Sequence, residues 1–164
     1  MRVSYEWLKT LVDLPQDPKD LEREFVRTGT EVEATERVGA NLDHVVTAQV
    51  VSKDPHPDSD HMYVTLVDVG NNNVDKDGNP VPLQIVCGAQ NFNQGDHIVT
   101  AMIGAVLPGD FKIKKSKLRG VESCGMNCSS RELGLGDDQS GIMILPEDAP
   151  IGVPLTDYLG MSDV

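Results

Sequence analysis

Apolar and polar positions change period twice along this chain. Over residues 1–29 the spacing is helical. Leu8, Leu11 and Val12 share one face of a segment that Ser4 caps, and Val3 and Leu8 sit where a hydrophobic staple would close its first turn. Asp17 followed by Pro18 predicts a second helix, with Asp20 and Glu22 favouring its positive end. Leu21 and Phe25 form its expected buried stripe, and Gly29 is a left-handed stop. Residues 30–38 alternate as a short strand. From Leu42 the period falls to two. Strands are expected at 44–52, 62–69, 83–87, 97–103 and 111–119, separated by the Asp54-Pro55-His56-Pro57-Asp58 breaker and a long polar tip at 71–80. In 111–119 the alternation changes parity after Ile113, which predicts a bulge near Lys114-Lys115. Residues 121–135 are rich in glycine and serine, 141–146 read as a further strand, and 155–159 as a helical turn. Five short strands with turn signals between them indicate a small barrel or sandwich.

Composition narrows the classes. An apolar content of 39% with 24% charged residues is globular rather than disordered. The first residues carry an acid where a signal peptide would become apolar, and the longest apolar run falls well short of a membrane helix, so a cytoplasmic protein is expected, with no membrane and no DNA partner. Three cysteines do not make a disulfide framework. The net charge is −12, which argues against a surface that coats nucleic acid by bulk charge. Its distribution matters more. Residues 1–40 hold six basic and nine acidic groups, residues 41–110 two against nine, and residues 121–164 one against eight. Between the last two lies Phe111-Lys112-Ile113-Lys114-Lys115-Ser116-Lys117-Leu118-Arg119-Gly120, with five cations and no acid.

Several motifs follow one another through the β region: His56-Pro57-Asp58-Ser59-Asp60, Val67-Asp68-Val69-Gly70, Ile85-Val86-Cys87-Gly88-Ala89-Gln90-Asn91, Gly104-Ala105-Val106-Leu107-Pro108-Gly109, Gly120-Val121-Glu122-Ser123-Cys124-Gly125-Met126 and Arg131-Glu132-Leu133-Gly134-Leu135. Together they resemble the tRNA-binding OB-fold module of several aminoacyl-tRNA synthetases and their associated factors. The flanks, Val3-Ser4-Tyr5-Glu6-Trp7-Leu8, Thr28-Gly29-Thr30-Glu31-Val32-Glu33 and Leu145-Pro146-Glu147-Asp148-Ala149-Pro150, resemble the N-terminal region of the bacterial phenylalanyl-tRNA synthetase β subunit. The sequence departs from that pattern at Gln90 (usually Pro), Ser59, His61, Met62 and Asn127, the last in place of an apolar residue.

The resemblance implies a mainly β fold, a five-stranded OB barrel with extensions, inserted in an incomplete small α+β domain. Residues 1–40 would be the first part of that split domain, 41–150 the barrel, and 151–164 the return segment. It implies a tRNA-binding accessory module of a ligase of two α and two β subunits, which charges tRNA with phenylalanine using ATP and magnesium. The partners are then tRNA, the α subunit and a second β subunit, with no catalytic site and no cofactor in this chain. The alternatives are a subunit-assembly module with little RNA binding and a free-standing tRNA-binding dimer.

Candidate tRNA contacts are Lys112, Lys114, Lys115, Lys117 and Arg119 on phosphates, Ser123 and Ser129 as hydroxyl donors, and Asn91 at a base edge. Each has a plainer reading. Lysines guard edge strands against aggregation, and Ser and Asn populate turns for backbone reasons. His56, Asp58, Asp60 and His61 have the composition of a metal cluster, yet turn capping accounts for them equally, and Cys124 and Cys128 lack a second ligand pair at zinc spacing, so no metal site is expected. No nucleophile–base pair is recognisable.

Overall fold

The computed structural model describes residues 3–35 and 42–161. The chain divides into two compact units, one over Met1–Ala40 with Gly160–Val164 and one over Asn41–Leu159.

In the first unit both helices start where their caps predict. Ser4 Oγ accepts the Trp7 N–H at 2.9 Å to begin α1 (Tyr5–Leu11). Asp17 accepts from the N–H groups of Lys19 and Asp20 at 2.9 and 3.0 Å to begin α2 (Pro18–Arg27), and Gly29 takes a φ of +90° just after it. The expected buried stripe is not buried. Neither helix holds a buried residue, Phe25 is 37% exposed and Trp7 54%. Helices of 7 and 10 residues lack a covering layer of their own, and apolar periodicity marks a face without supplying what packs on it. Residues 30–35 form no strand; the rest of that expected element, 36–38, lies outside the described residues.

The second unit is a nearly closed antiparallel barrel, so the fold is mainly β. Its long strand β1 (Val45–Pro55) pairs with β2 (Tyr63–Asp68) on one side and β4 (His97–Met102) on the other. Strand β2 pairs in turn with β3 (Leu83–Cys87). The register of β1 against β2 slips between Val50 and Ser52, and the extra residue, Val51, turns outward. Such a bulge bends a strand, letting one strand serve both halves of a small barrel. Val46, Ala48, Val50, Val67, Ile85 and Ile98 fill the interior with Phe92, which is fully buried. Lys53 caps this aromatic end: Nζ donates to the Phe92 carbonyl at 2.6 Å and lies 4.1 Å from the Tyr63 ring centre.

The fifth barrel strand is not 111–119, as the alternation there predicts, but β9 (Gly125–Asn127), which pairs with β4. The basic segment instead contributes to two separate ribbons. Strands β5 (Val106–Leu107) and β6 (Phe111–Lys112) form one, and β7 (Ser116–Leu118) and β8 (Val121–Ser123) the other. The parity change is therefore a break between two hairpins rather than a bulge. The second hairpin closes on Arg119 and Gly120, with φ of +48° and +84°, the left-handed pair that a two-residue turn between antiparallel strands requires. The strand and helical turn expected near the end of the chain are present: β10 (Ile144–Leu145) pairs with β4, and α3 (Leu155–Tyr158) buries Leu155. Gly152 and Val153 bond to Thr47 of β1, with Gly152 N–H donating to the Thr47 carbonyl at 2.7 Å.

Between β3 and β9 the barrel closes without a ladder. The Cys124 N–H donates to the Gln84 carbonyl at 2.8 Å, Gln84 Nε2 donates to the Glu122 carbonyl at 2.8 Å, and the Val86 N–H donates to Ser123 Oγ at 3.0 Å. Ser123 is 2% exposed and passes its own hydroxyl hydrogen to the Gly125 carbonyl. Removing that oxygen strands a buried backbone donor. Ser123→Ala is therefore expected to lower stability by about 1–3 kcal/mol, read as a drop in the urea midpoint; an unchanged midpoint would mean that water or a shifted strand replaces the bond.

Candidate nucleic-acid interface

Beside this seam lies an open groove of about 940 Å³, bordered by the end of β3, by residues 108–118, by β9 with the turn that follows it, and by residues 139–142. Its charged lining residues are Lys112, Lys114, Arg131 and Glu132, a net of +2 in a chain of −12.

The five cations of the basic segment are thus divided by the two hairpins. Lys112 and Lys114 line the groove, are exposed, and have no ion pair among the described residues. Lys115 is paired with Glu122 at 2.7 Å. The hydrogen bond it donates to Glu122, and then that carboxylate's charge, hold the Lys115 ammonium above its ordinary range, and the same bond holds the Glu122 carboxyl below its own. Lys117 stands directly across the ribbon from Glu122, so two cations share one carboxylate. Arg119 donates to the Asp58 carbonyl at 2.9 Å, tying the second ribbon to the 56–58 turn. His56, which is 4% exposed, completes that tie. Its Nδ1 accepts the Asp58 N–H at 3.0 Å, so Nε2 carries the hydrogen and donates to the Leu118 carbonyl at 2.8 Å. Both ring nitrogens are spent on the fold. Among the described residues no three His, Cys, Asp or Glu side chains converge as metal ligands.

The remaining expected contacts have internal partners. Ser123 closes the seam as above. Ser129, 6% exposed, forms a reciprocal cap with Glu132: its N–H donates to Glu132 Oε2 at 2.6 Å and its Oγ accepts the Glu132 N–H at 3.3 Å. Asn91 clips residue 142 in both directions, Nδ2 donating to the Ile142 carbonyl at 2.9 Å and Oδ1 accepting its N–H at 3.0 Å. A Cβ on Gly141 would lie 2.2 Å from the Asn91 side chain, so only glycine admits this clip. Asn91 keeps one free donor and one free acceptor position, whereas Ser123 has given both roles away.

Residue-by-residue reading of the sequence passes over several lining groups. Phe111 is 55% exposed in the groove, Met126 lies in it, and Arg131 borders it with Gln139 as hydrogen-bond acceptor. The one signal for Arg131 is that it is the sole cation of 121–164. Asn127 accepts from Thr100 Oγ1 at 3.0 Å, but its Nδ2, in a residue 4% exposed, meets no acceptor at hydrogen-bond geometry; the nearby Cys87 sulfur is a weak one.

Comparison with known proteins places this geometry in context. The sequence profile of a family described as "Putative tRNA binding domain" matches residues 45–154. The phenylalanine–tRNA ligase beta subunit of Geobacter sulfurreducens is 50% identical over 163 residues, covering 99% of this chain and 19% of that protein. Its counterpart from Fusobacterium nucleatum is 47% identical over 164 residues, covering 100% and 20%. This chain therefore spans about a fifth of the length of these curated relatives. Among solved structures, a MetRS-related protein from Pyrococcus horikoshii is 19% identical with a TM-score of 0.46, covering 66% of this chain and 85% of that one. The C-terminal domain of Plasmodium vivax p43 is also 19% identical, with a TM-score of 0.47 and coverage of 71% and 61%.

Behind the groove, Cys128 is fully buried. Burial first, and the Glu132 charge second, push its thiol up to about 12 from an ordinary 9.0. The folded state then holds this proton through a range in which the unfolded chain releases it. Stability from this group is complete below pH 9.0 and is lost as pH rises toward 12. Cys128→Ala is expected to flatten the alkaline fall in unfolding free energy by up to about 1.4 kcal/mol per pH unit, with urea melts at several pH values above 9.0 as the measurement. Parallel curves for the two proteins would refute it.

Proposed function

The chain belongs to the tRNA-binding domain family, and from that premise we propose that it is the N-terminal tRNA-binding accessory module of a phenylalanine–tRNA ligase beta subunit. The observation that carries the reading is the groove, locally positive in an acidic chain and lined by Lys112 and Lys114, which have no ion pair among the described residues. Phosphates neutralise such cations at little desolvation cost, because an exposed ammonium keeps much of its hydration while it exchanges a counterion for the phosphate. The acidic remainder repels polyanion that does not enter at this point, which restricts contact to one approach. Lys115 contributes less than its charge suggests, since binding phosphate means giving up Glu122.

On this reading the synthetic chemistry, with its ATP and magnesium, lies outside this chain, and the module works in the cytoplasm within an assembly of α and β subunits. Its part is to hold tRNA while another site acts. The close sequence identity along essentially the whole chain supports placing it in the beta subunit. Among the described residues no helix is long and apolar enough to cross a membrane.

Titration of tRNA against the 164-residue chain at low and moderate salt tests this. Saturable binding that weakens with salt is expected, and Lys112→Ala with Lys114→Ala should reduce the log–log salt slope by about 1.5–2. Lys115→Ala should change it by less than either single groove substitution. Absence of saturable binding at low salt would leave the subunit-assembly role instead.

A further inference from the structure

The groove is concave, and its cations come from two separate stretches of chain. Lys112 and Lys114 belong to the first ribbon and the loop after it, whereas Arg131 belongs to the turn that follows β9. We infer that an unpaired stretch of the RNA strand enters this groove, with its phosphates between Lys112 and Lys114 on one border and Arg131 on the other, and with a base laid on Phe111. This rests on the tRNA-binding reading and adds to it the part of the ligand taken and a contact residue, Arg131, outside the basic segment.

Three observations carry it. A concave site of about 940 Å³ falls in the size range of pockets that engulf a small ligand, whereas a paired A-form helix presents its phosphates on a convex face and its bases stacked inside. Phe111, exposed and in the groove, offers an aromatic face, and stacking needs a base already out of its helix. Asn127, nearly fully buried in the groove lining, has an amide nitrogen whose one recorded neighbour is the weak Cys87 sulfur acceptor, so its donor capacity is not used up within the fold. Arg131 is well suited to a border position. Its one recorded side-chain partner is the neutral Gln139, so its charge is uncompensated by any ion pair among the described residues, and a guanidinium fork matches phosphate geometry.

The test uses the 164-residue chain with three labelled probes: tRNA, an oligouridylate of about 12 nucleotides, and a blunt RNA duplex of the same length. The single strand is expected to bind at least about tenfold more tightly than the duplex, and Arg131→Ala to weaken it about three- to tenfold with a salt slope smaller by about 0.7. Lys76→Ala removes the same charge from the distant 75–79 turn and should leave the affinity unchanged. If tRNA binds but the duplex matches the single strand, or neither short probe binds, or Arg131→Ala behaves as Lys76→Ala does, the inference fails and the tRNA-binding reading stands. If tRNA itself does not bind, both fall.

Discussion

Everything in the barrel unit that bears on function depends on how β9 is pressed between β4 and β3. At Gly125 an added Cβ would sit 2.7 Å from the Ala101 carbonyl oxygen and 3.1 Å from Ile85. No side chain fits there, and the strand approaches its neighbour only because residue 125 has none. That approach brings Ser123 and Cys124 within reach of β3, where single bonds to Val86 and Gln84 stand in for a ladder. The groove lies beside that seam, bordered by the end of β3 and by β9, so the contact that closes the barrel also sets two of the groove's borders.

The charge pattern then acquires a mechanism. A chain of −12 has no general attraction for RNA, and at physiological salt its acids are felt only within about 8 Å. Among the groove's own lining residues the balance is positive, with Lys112, Lys114 and Arg131 against Glu132. Selectivity of this kind comes from confining the favourable field to one concave place rather than from raising affinity everywhere. The two hairpins carry the cations to different places: Lys112 and Lys114 line the groove, while Lys115 pairs with Glu122 and Lys117 stands across the second ribbon from that same residue.

Much of this was legible in the sequence, and the parts that were not share a cause. Local signals were reliable: Ser4 and Asp17 begin helices because capping is decided within four residues, and the first four barrel strands lie close to where they are expected. The expectation at 111–119 fails because Phe111 and Ile113 alternate with lysines there, whereas the true fifth strand, Gly-Met-Asn, carries no alternation and almost no β propensity. Its place is dictated by Ala101, far away in sequence, through a contact that only glycine permits. The site residues divide the same way. Charge alone marks Lys112 and Lys114, but nothing local reveals that Ser123, Ser129 and Asn91 spend their polar groups on Val86, Glu132 and Ile142. Nor does it reveal that Arg131 returns to the same groove.

Those spent groups have a consequence for how the groove is held ready. Its borders are loops, which ordinarily lose conformational freedom when a ligand orders them. Here the ordering is already done by the polar groups that a residue-by-residue reading assigns to RNA. Asn91 fixes residue 142, the Ser129–Glu132 cap fixes the turn carrying Arg131, and His56 with Arg119 fixes the second ribbon. On the proposed reading the sequence motif mixes two functions, a few exposed cations offered to phosphate and a larger set of polar side chains that position them. Its glycine and serine content reflects the second function more than the first.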